Sequence, residues 1–311
     1  MTKPAVLLVS RLPEALGERL RARFDCHEQA QLDAAGLQAL GPQLRGMVAT
    51  AESVVTRELM ARLPALEIIS VLGVGYDGID IAAARERGIC VTHTPGLSSN
   101  DIADFAMALL LAAARQVVSA DKFVRRGDWS AGRYPITPSV SGARLGIVGL
   151  GRIGRAVALR ALAFGMHIAY TGRTPKTDVA YRWCDDPLTL AASVDYLVVC
   201  ASAGPTTRAL INAEVLAALG PAGVLVNVAR GAIVDEEALV TALRERRILA
   251  AGLDVFCDEP RVPAGLLRLD NVVLTPHMAS TTGATVQAML DLTFDNLAAH
   301  FDGLPVPAPV T

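Results

Sequence analysis

His277 stands immediately after the apolar run Val272-Val273-Leu274, in the stretch Thr275-Pro276-His277. Open α/β sheets place their reacting groups at the C-terminal ends of strands, and an imidazole is the side chain that exchanges a proton near neutral pH. Two further strand-like runs end in chemistry of their own. Residues 224–228 lead into Ala229-Arg230-Gly231, and Leu253-Asp254-Val255-Phe256 leads into Cys257-Asp258-Glu259-Pro260. A guanidinium binds a carboxylate through two parallel hydrogen bonds. A glutamate beside a histidine orients the ring and holds its proton. Taken singly, each has an ordinary structural explanation: Arg230 as a partner of a helix cap, Glu259-Pro260 as a plain turn. Of the other histidines, His27 and His300 are read as surface groups, His167 opens a strand, and His93 follows an apolar run and is placed to line a cleft.

A second chemistry lies in Gly149-Leu150-Gly151-Arg152-Ile153-Gly154, which follows the strand-like Leu145-Gly146-Ile147-Val148 and opens a helix running to Ala163. Glycines there let the backbone approach a pyrophosphate, and the helix N-terminus offers unpaired N–H groups with the positive end of its dipole. A glycine turn used only for helix–strand packing is the alternative. The next strand, His167 to Tyr170, runs into Thr171-Gly172-Arg173-Thr174-Pro175-Lys176. A site for NAD places an acid there to bond the ribose hydroxyls, but the first acid is Asp178. Arg173, Thr174 and Lys176 instead suit a 2′-phosphate, so the expected cofactor is NADPH/NADP, with NADH a weaker partner. Together with a nicotinamide site, Arg230, Glu259 and His277 make a reductase constellation.

These residues need elements to position them. Short apolar runs alternate with amphipathic stretches along all 311 residues, which predicts parallel sheets covered on both faces by helices. The runs fall into two groups, separated by a helical stretch over residues 100–126 and a polar Gly/Pro-containing loop over 127–142. The last helix, about 285–301, follows the final strand and is placed to pack back on the first group; the Pro-rich tail 305–309 is expected to be extended. Lys+Arg 29 against Asp+Glu 31, a net charge of −2, argues against a nucleic-acid partner. No apolar run is long enough to span a bilayer. The five cysteines (Cys26, Cys90, Cys184, Cys200, Cys257) form no C-x-x-C pair and are read as buried thiols in a reduced compartment. No metal site is read, and a cytoplasmic location with no membrane partner is expected.

The sequence resembles the D-isomer-specific 2-hydroxyacid dehydrogenases over nearly the whole chain. The match runs through Gly73-Val74-Gly75-Tyr76-Asp77-Gly78-Ile79-Asp80, the glycine turn, Val226-Asn227-Val228-Ala229-Arg230-Gly231, Gly252-Leu253-Asp254-Val255-Phe256, Asp258-Glu259-Pro260 and Leu274-Thr275-Pro276-His277. The resemblance implies two Rossmann/flavodoxin-like doubly wound parallel-sheet domains with an interdomain cleft: residues 1–99 plus 283–311 for substrate, 100–282 for the dinucleotide. It implies His277 as general acid/base with Glu259 as its partner, and Arg230 on the substrate's carboxylate and carbonyl oxygen. The N–H groups of Val74 and Gly75 would bind the same carboxylate, and Asp254 would contact the nicotinamide amide. Pro205 and Thr207 would lie beside the pyrophosphate, although Ala203-Gly204-Pro205-Thr206-Thr207 departs from the family's usual wording. Val228 and Ala229, in the motif that contains Arg230, are also assigned to the cofactor.

Within that family the Gly-Arg-Thr cofactor loop and the stretch from Gly127-Asp128-Trp129 to Gly142 resemble the NADPH-preferring glyoxylate/hydroxypyruvate reductases and the hydroxyphenylpyruvate reductases. Formate dehydrogenases carry Gln where Glu259 stands, and phosphite-type enzymes usually carry an acidic cofactor loop. The expected reaction is reduction of glyoxylate or hydroxypyruvate to a D-2-hydroxy acid. An aromatic 2-oxo acid is the alternative substrate, and a dinucleotide-sensing binding protein the alternative class. The helix Asp101 to Arg115 is apolar over more of its surface than a lone solvated helix should be; the resemblance implies that this region forms a two-fold homodimer, with Tyr134, in the loop after it, reaching the partner's cleft.

Overall fold

The structure, a computed structural model, describes residues 3–310. It divides into two compact units, one made of the chain up to Ser98 plus the segment from Thr282 onward, the other running from Ser99 to Thr281.

In the first unit, strands β1 (Ala5–Leu8), β2 (Asp25–Glu28), β3 (Leu44–Thr50), β4 (Ile68–Leu72) and β5 (Cys90–Thr92) form an all-parallel sheet in the order β2-β1-β3-β4-β5. This is the flavodoxin-like order. Alternate residues feed opposite faces, as strand geometry requires: Leu7, Met47, Ala49, Ile69 and Val71 on one side, Val6, Leu8, Val48 and Ile68 on the other. The C-terminal helix Gly283–Phe301 covers the second face with Leu290 and Leu297. The tail expected to be extended bends at residues 307–308 and pairs only at its end: Pro309 bridges Thr92, and the Val310 N–H donates to Val91 O at 2.7 Å. His300 departs from its expected surface position, because it lies 3.1 Å from Glu67 and edge-on to Phe301, half-buried.

In the second unit, β6 (Arg144–Val148), β7 (His167–Thr171), β8 (Arg182–Cys184), β9 (Tyr196–Val199), β10 (Val224–Asn227), β11 (Ala250–Leu253) and β12 (Val272–Leu274) are all parallel, in the order β12-β11-β10-β9-β6-β7-β8. The order reverses between β6 and β9, the switch point where such sheets bind ligands. Tyr196 and Val198 face one core and Leu197 and Val199 the other, so both faces are covered.

The helical stretch expected over 100–126 is two helices, Ser99–Ala114 and Val117–Arg125, bent by 55°. The break is at Gln116, which adopts the left-handed region at φ 50° and so cannot continue a right-handed helix. The apolar surface of Ser99–Ala114 is accounted for inside its own unit. Ile102, Ala106, Leu109, Leu110 and Ala113 are buried, and a Cβ on Gly252 would stand 3.0 Å from that of Leu109. The exposed apolar side chains follow instead, at Val117, Val118, Val124 and Trp129. No single helix among the described residues is long and apolar enough to cross a membrane.

Leu297 is fully buried between the C-terminal helix and the first sheet. Leu297→Ala should cost about 2–5 kcal/mol of unfolding free energy, read by denaturant titration of the purified protein.

Candidate active site

The glycine turn shows three separate reasons for its three glycines. Gly149, at φ 95°, lies where a Cβ would meet the Ala201 backbone at 2.7 Å. Gly154 lies where a Cβ would stand 2.2 Å from Gly149 O, so any side chain would push the helix Arg152–Ala163 off the strand. Gly151 meets nothing within 4 Å: the space a side chain would occupy is open, and the helix begins there with no side-chain cap. Arg152 is exposed and Ile153 packs against the core beside it. A close-approach turn, an open space and an uncapped helix end together fit a pyrophosphate.

Beyond β7, Arg173, Thr174 and Lys176 are all exposed. The buried Tyr170 fixes this loop, its hydroxyl accepting the Lys176 backbone N–H at 2.6 Å. Asp178 is bound by Arg155 at 2.9 Å, and that guanidinium holds its carboxyl below the usual range. The first acid after the loop is thereby paired with a cation. On the opposite side of the turn, Pro205 is exposed, while the Thr207 hydroxyl donates within its own loop, to Ser202 O at 3.0 Å and Gly204 O at 3.2 Å.

Because β10, β11 and β12 are parallel neighbours, the segments following them open on the same edge of the sheet. His277 Nδ1 lies 2.6 Å from Glu259 Oε2, and Glu259 Oε1 accepts the Phe256 N–H at 2.9 Å. Burial raises the Glu259 pKa. The hydrogen bonds from His277 and the Phe256 N–H, with the charges of His277 and Arg230, outweigh it and leave the carboxyl below its usual value. Its ionisation therefore stabilises the fold fully above the ordinary carboxylate pKa, and that contribution is lost as pH falls through the lowered value.

The turn that carries His277 is held by Asp254. This buried carboxylate accepts from Thr275 Oγ1 at 2.6 Å, Met278 N–H at 2.9 Å and Ala279 N–H at 2.9 Å, and its backbone oxygen accepts the His277 N–H at 2.8 Å. Four acceptor contacts from one residue keep His277 at φ 50°, a region that non-glycine residues seldom occupy. The sequence alone did not assign Asp254 this work. Nor did it single out Asn227, whose Nδ2 donates to Arg230 O at 3.0 Å and whose Oδ1 accepts the Ala229 N–H at 3.1 Å. An Asn at a strand end, two and three residues before the groups it binds, was the available signal. Gly231 completes the arrangement, since a Cβ there would stand 2.0 Å from the Phe256 carbonyl carbon. Val228 is buried and Ala229 half-buried beside this loop.

In the first unit, Val74 and Gly75 lie half-buried in the loop after β4. Tyr134 packs edge-on against Phe123, 5.3 Å between ring centres, and its hydroxyl donates to Gln116 at 3.0 Å. A cavity of about 260 Å³ lies against Glu259 and His277, with Phe256, Val262, Leu267 and Leu274 in its wall. The expectation of buried thiols fails at Cys257, which is exposed; partial burial of its sulfur and the nearby Glu236 push the thiol up to about 11. Cys26, Cys90 and Cys200 are half-buried and only Cys184 is fully so. Among the described residues no cluster of His, Cys, Asp and Glu is arranged to hold a metal ion.

A glycine turn built for a pyrophosphate and an imidazole–carboxylate pair in the same parallel-sheet unit define a dinucleotide-dependent dehydrogenase. The model of the D-isomer specific 2-hydroxyacid dehydrogenase NAD binding domain matches residues 107–279, and the chain belongs to that family. It is 44% identical over 309 residues to a hydroxyphenylpyruvate reductase of Plectranthus scutellarioides, covering 98% of each chain. It is 45% identical to a glyoxylate/hydroxypyruvate reductase A of Arabidopsis thaliana, covering 86% of this chain and 85% of that one. Among solved structures, an NADPH-dependent glyoxylate/hydroxypyruvate reductase of Sinorhizobium meliloti, in complex with NADP and malonate, superposes with a TM-score of 0.93 at 41% identity, over 100% of this chain and 97% of that one.

Glu259→Gln removes the charge facing His277 Nδ1 and keeps most of the shape. A neighbouring carboxylate favours the protonated ring, so the alkaline limb of kcat/KM for carbonyl reduction should move to lower pH, by on the order of one unit. An unmoved limb in a folded variant would disprove the pairing.

Proposed function

We propose that the protein is an NADPH-dependent reductase of small 2-oxo acids, glyoxylate or hydroxypyruvate, giving D-2-hydroxy acids. The observation that carries this reading is the 2.6 Å contact between His277 and Glu259 at the ends of β12 and β11. NADPH, when bound at the glycine turn, supplies the hydride to C2 of the substrate. His277 gives its proton to the carbonyl oxygen, and Glu259, held ionised, favours the charged ring from which that proton leaves. Arg230 and the N–H groups of Val74 and Gly75 bind the carboxylate. Arg230 also balances the developing oxyanion.

The cofactor preference rests on the exposed Arg173, Thr174 and Lys176 and on the pairing of Asp178 with Arg155. Hydrogen bonds within the protein limit what two of the cofactor residues can offer. The Asp254 carboxylate has both oxygens engaged in the His277 turn, so its contact with the nicotinamide amide uses a remaining lone pair. Thr207 shapes its loop beside the pyrophosphate rather than offering a free hydroxyl proton.

An aromatic 2-oxo acid is the second reading, favoured by the 44% identity to a hydroxyphenylpyruvate reductase and by the largely apolar cavity beside His277. A panel of 2-oxo acids assayed with NADPH and NADH separates the two. Absence of any 2-oxo-acid-dependent NADPH oxidation would favour a non-enzymatic dinucleotide sensor.

A cytoplasmic homodimer is part of the proposal. The exposed Val117, Val118, Val124 and Trp129 support a second copy as the cover for this region, with Tyr134 near that contact. Light scattering at micromolar concentration should give twice the chain mass, and a monomer would refute it.

Arg173→Ala should raise the NADPH KM roughly tenfold or more and the NADH KM little, since a hydrogen bond to a charged group is worth about 1.5–3 kcal/mol. His277→Ala should lose roughly 10²–10⁴ in rate with NADPH binding nearly unchanged.

A further inference from the structure

The loop of residues 73–76 follows β4, and two of its carbonyls are held by the segment after β5. Gly73 O accepts the Thr94 N–H at 2.9 Å, and Val74 O lies 3.0 Å from His93 Nδ1. A carbonyl oxygen only accepts, so His93 Nδ1 carries the proton in this contact. In a trans peptide the C=O and the following N–H point to opposite sides. With both carbonyls turned toward residues 93 and 94, the N–H groups of Val74 and Gly75 turn the other way, side by side. Neither has a hydrogen-bond partner among the described residues. Paired backbone donors held in this way form an anion-binding concavity.

His93 is itself anchored. Its ring meets Tyr76 edge-on, with 5.1 Å between ring centres at 89°. Its N–H donates to Ala308 O at 3.3 Å, and its backbone oxygen accepts Asn296 Nδ2 at 3.4 Å. Asn296 is fully buried on the C-terminal helix, and its Oδ1 accepts the Ala308 N–H at 2.9 Å. Helix, tail, His93 and loop thus form one connected set of hydrogen bonds.

We propose that His93 is a positioning residue for substrate binding: through Val74 O it aims the Val74 and Gly75 N–H pair at the substrate's carboxylate. The inference rests on the carboxylate reading of this loop given above. His93 touches no reacting atom, so its loss weakens the hold on the acid and leaves hydride transfer and cofactor binding alone.

The test compares wild type, His93→Phe and His93→Asn. Phenylalanine keeps a ring against Tyr76 and removes the donor; asparagine keeps a donor. In His93→Phe the KM for the preferred 2-oxo acid and the inhibition constant of oxalate should each rise about five- to tenfold, the usual worth of one hydrogen bond. The kcat and the NADPH dissociation constant should stay within about twofold, and His93→Asn should restore most of the loss. If KM and oxalate inhibition are unchanged in a folded His93→Phe, or if kcat and melting temperature fall with KM untouched, His93 only supports the fold and the inference is overturned while the reductase reading stands. If wild type reduces no 2-oxo acid and does not bind oxalate, the reductase reading fails and takes this inference with it.

Discussion

A carboxylate drawn away from water stays ionised only where donors and positive charge replace the solvent it has lost. Glu259 meets that condition with three partners: His277 on one oxygen, the Phe256 N–H on the other, and the charge of Arg230 nearby. These come from segments following β10, β11 and β12. Only a sheet in which those strands are parallel neighbours delivers a guanidinium, a carboxylate and an imidazole to the same edge. The all-parallel sheet requires helical crossovers, the crossovers bury both faces, and the continuous apolar strands follow from that burial. The imidazole–carboxylate pair and the fold therefore express the same constraint.

Around the pair lies a set of buried polar groups with little tolerance for change. Asp254 matches each oxygen to donors from the His277 turn, and Asn227 matches its amide to both sides of the Arg230 loop. An unmatched buried group costs about 1–3 kcal/mol, so these contacts fix backbone conformations that side-chain packing alone leaves undetermined. The left-handed φ of His277 is one conformation that needs such support. Gly231 shows the same economy of space: the Arg230 loop and the Phe256–Cys257 backbone approach closely because one residue has no side chain.

Much of this was legible in the sequence for a physical reason. Buried parallel strands are largely apolar, so ten of the twelve strands among the described residues announce themselves as runs, and residues that follow such runs are automatically at the sheet's edge. The two strands that did not stand out are Asp25–Glu28 and Arg182–Cys184, short edge strands with one neighbour each and polar residues among them. The break at Gln116 was also hidden, because neither glycine nor proline marks it. His300 was misread because helical spacing near a chain end does not say that Glu67 and Phe301 lie beside it. Asp254 and Asn227 were visible as motif letters, but their bonds depend on turns that only three-dimensional placement reveals.

The first unit takes its last helix from the far end of the chain, and buried hydroxyls explain how that helix finds its register. Ser70 points from β4 into the interface, fully buried, and needs partners there. It accepts from Thr92 Oγ1 on β5 at 3.2 Å and donates to Thr293 O on the helix at 2.9 Å. A carbonyl in the middle of a helix is already bonded within it, but its second lone pair remains available. Thr293 is itself buried and turns its own hydroxyl back to Met289 O at 2.7 Å. Sliding the helix by one residue would carry Thr293 O away from Ser70 and leave the Ser70 hydroxyl proton without its acceptor in an apolar layer. Leu290, Leu297 and Phe301 supply the attraction that docks the helix, which apolar contact alone would permit in several alignments; the Ser70 hydroxyl selects among them.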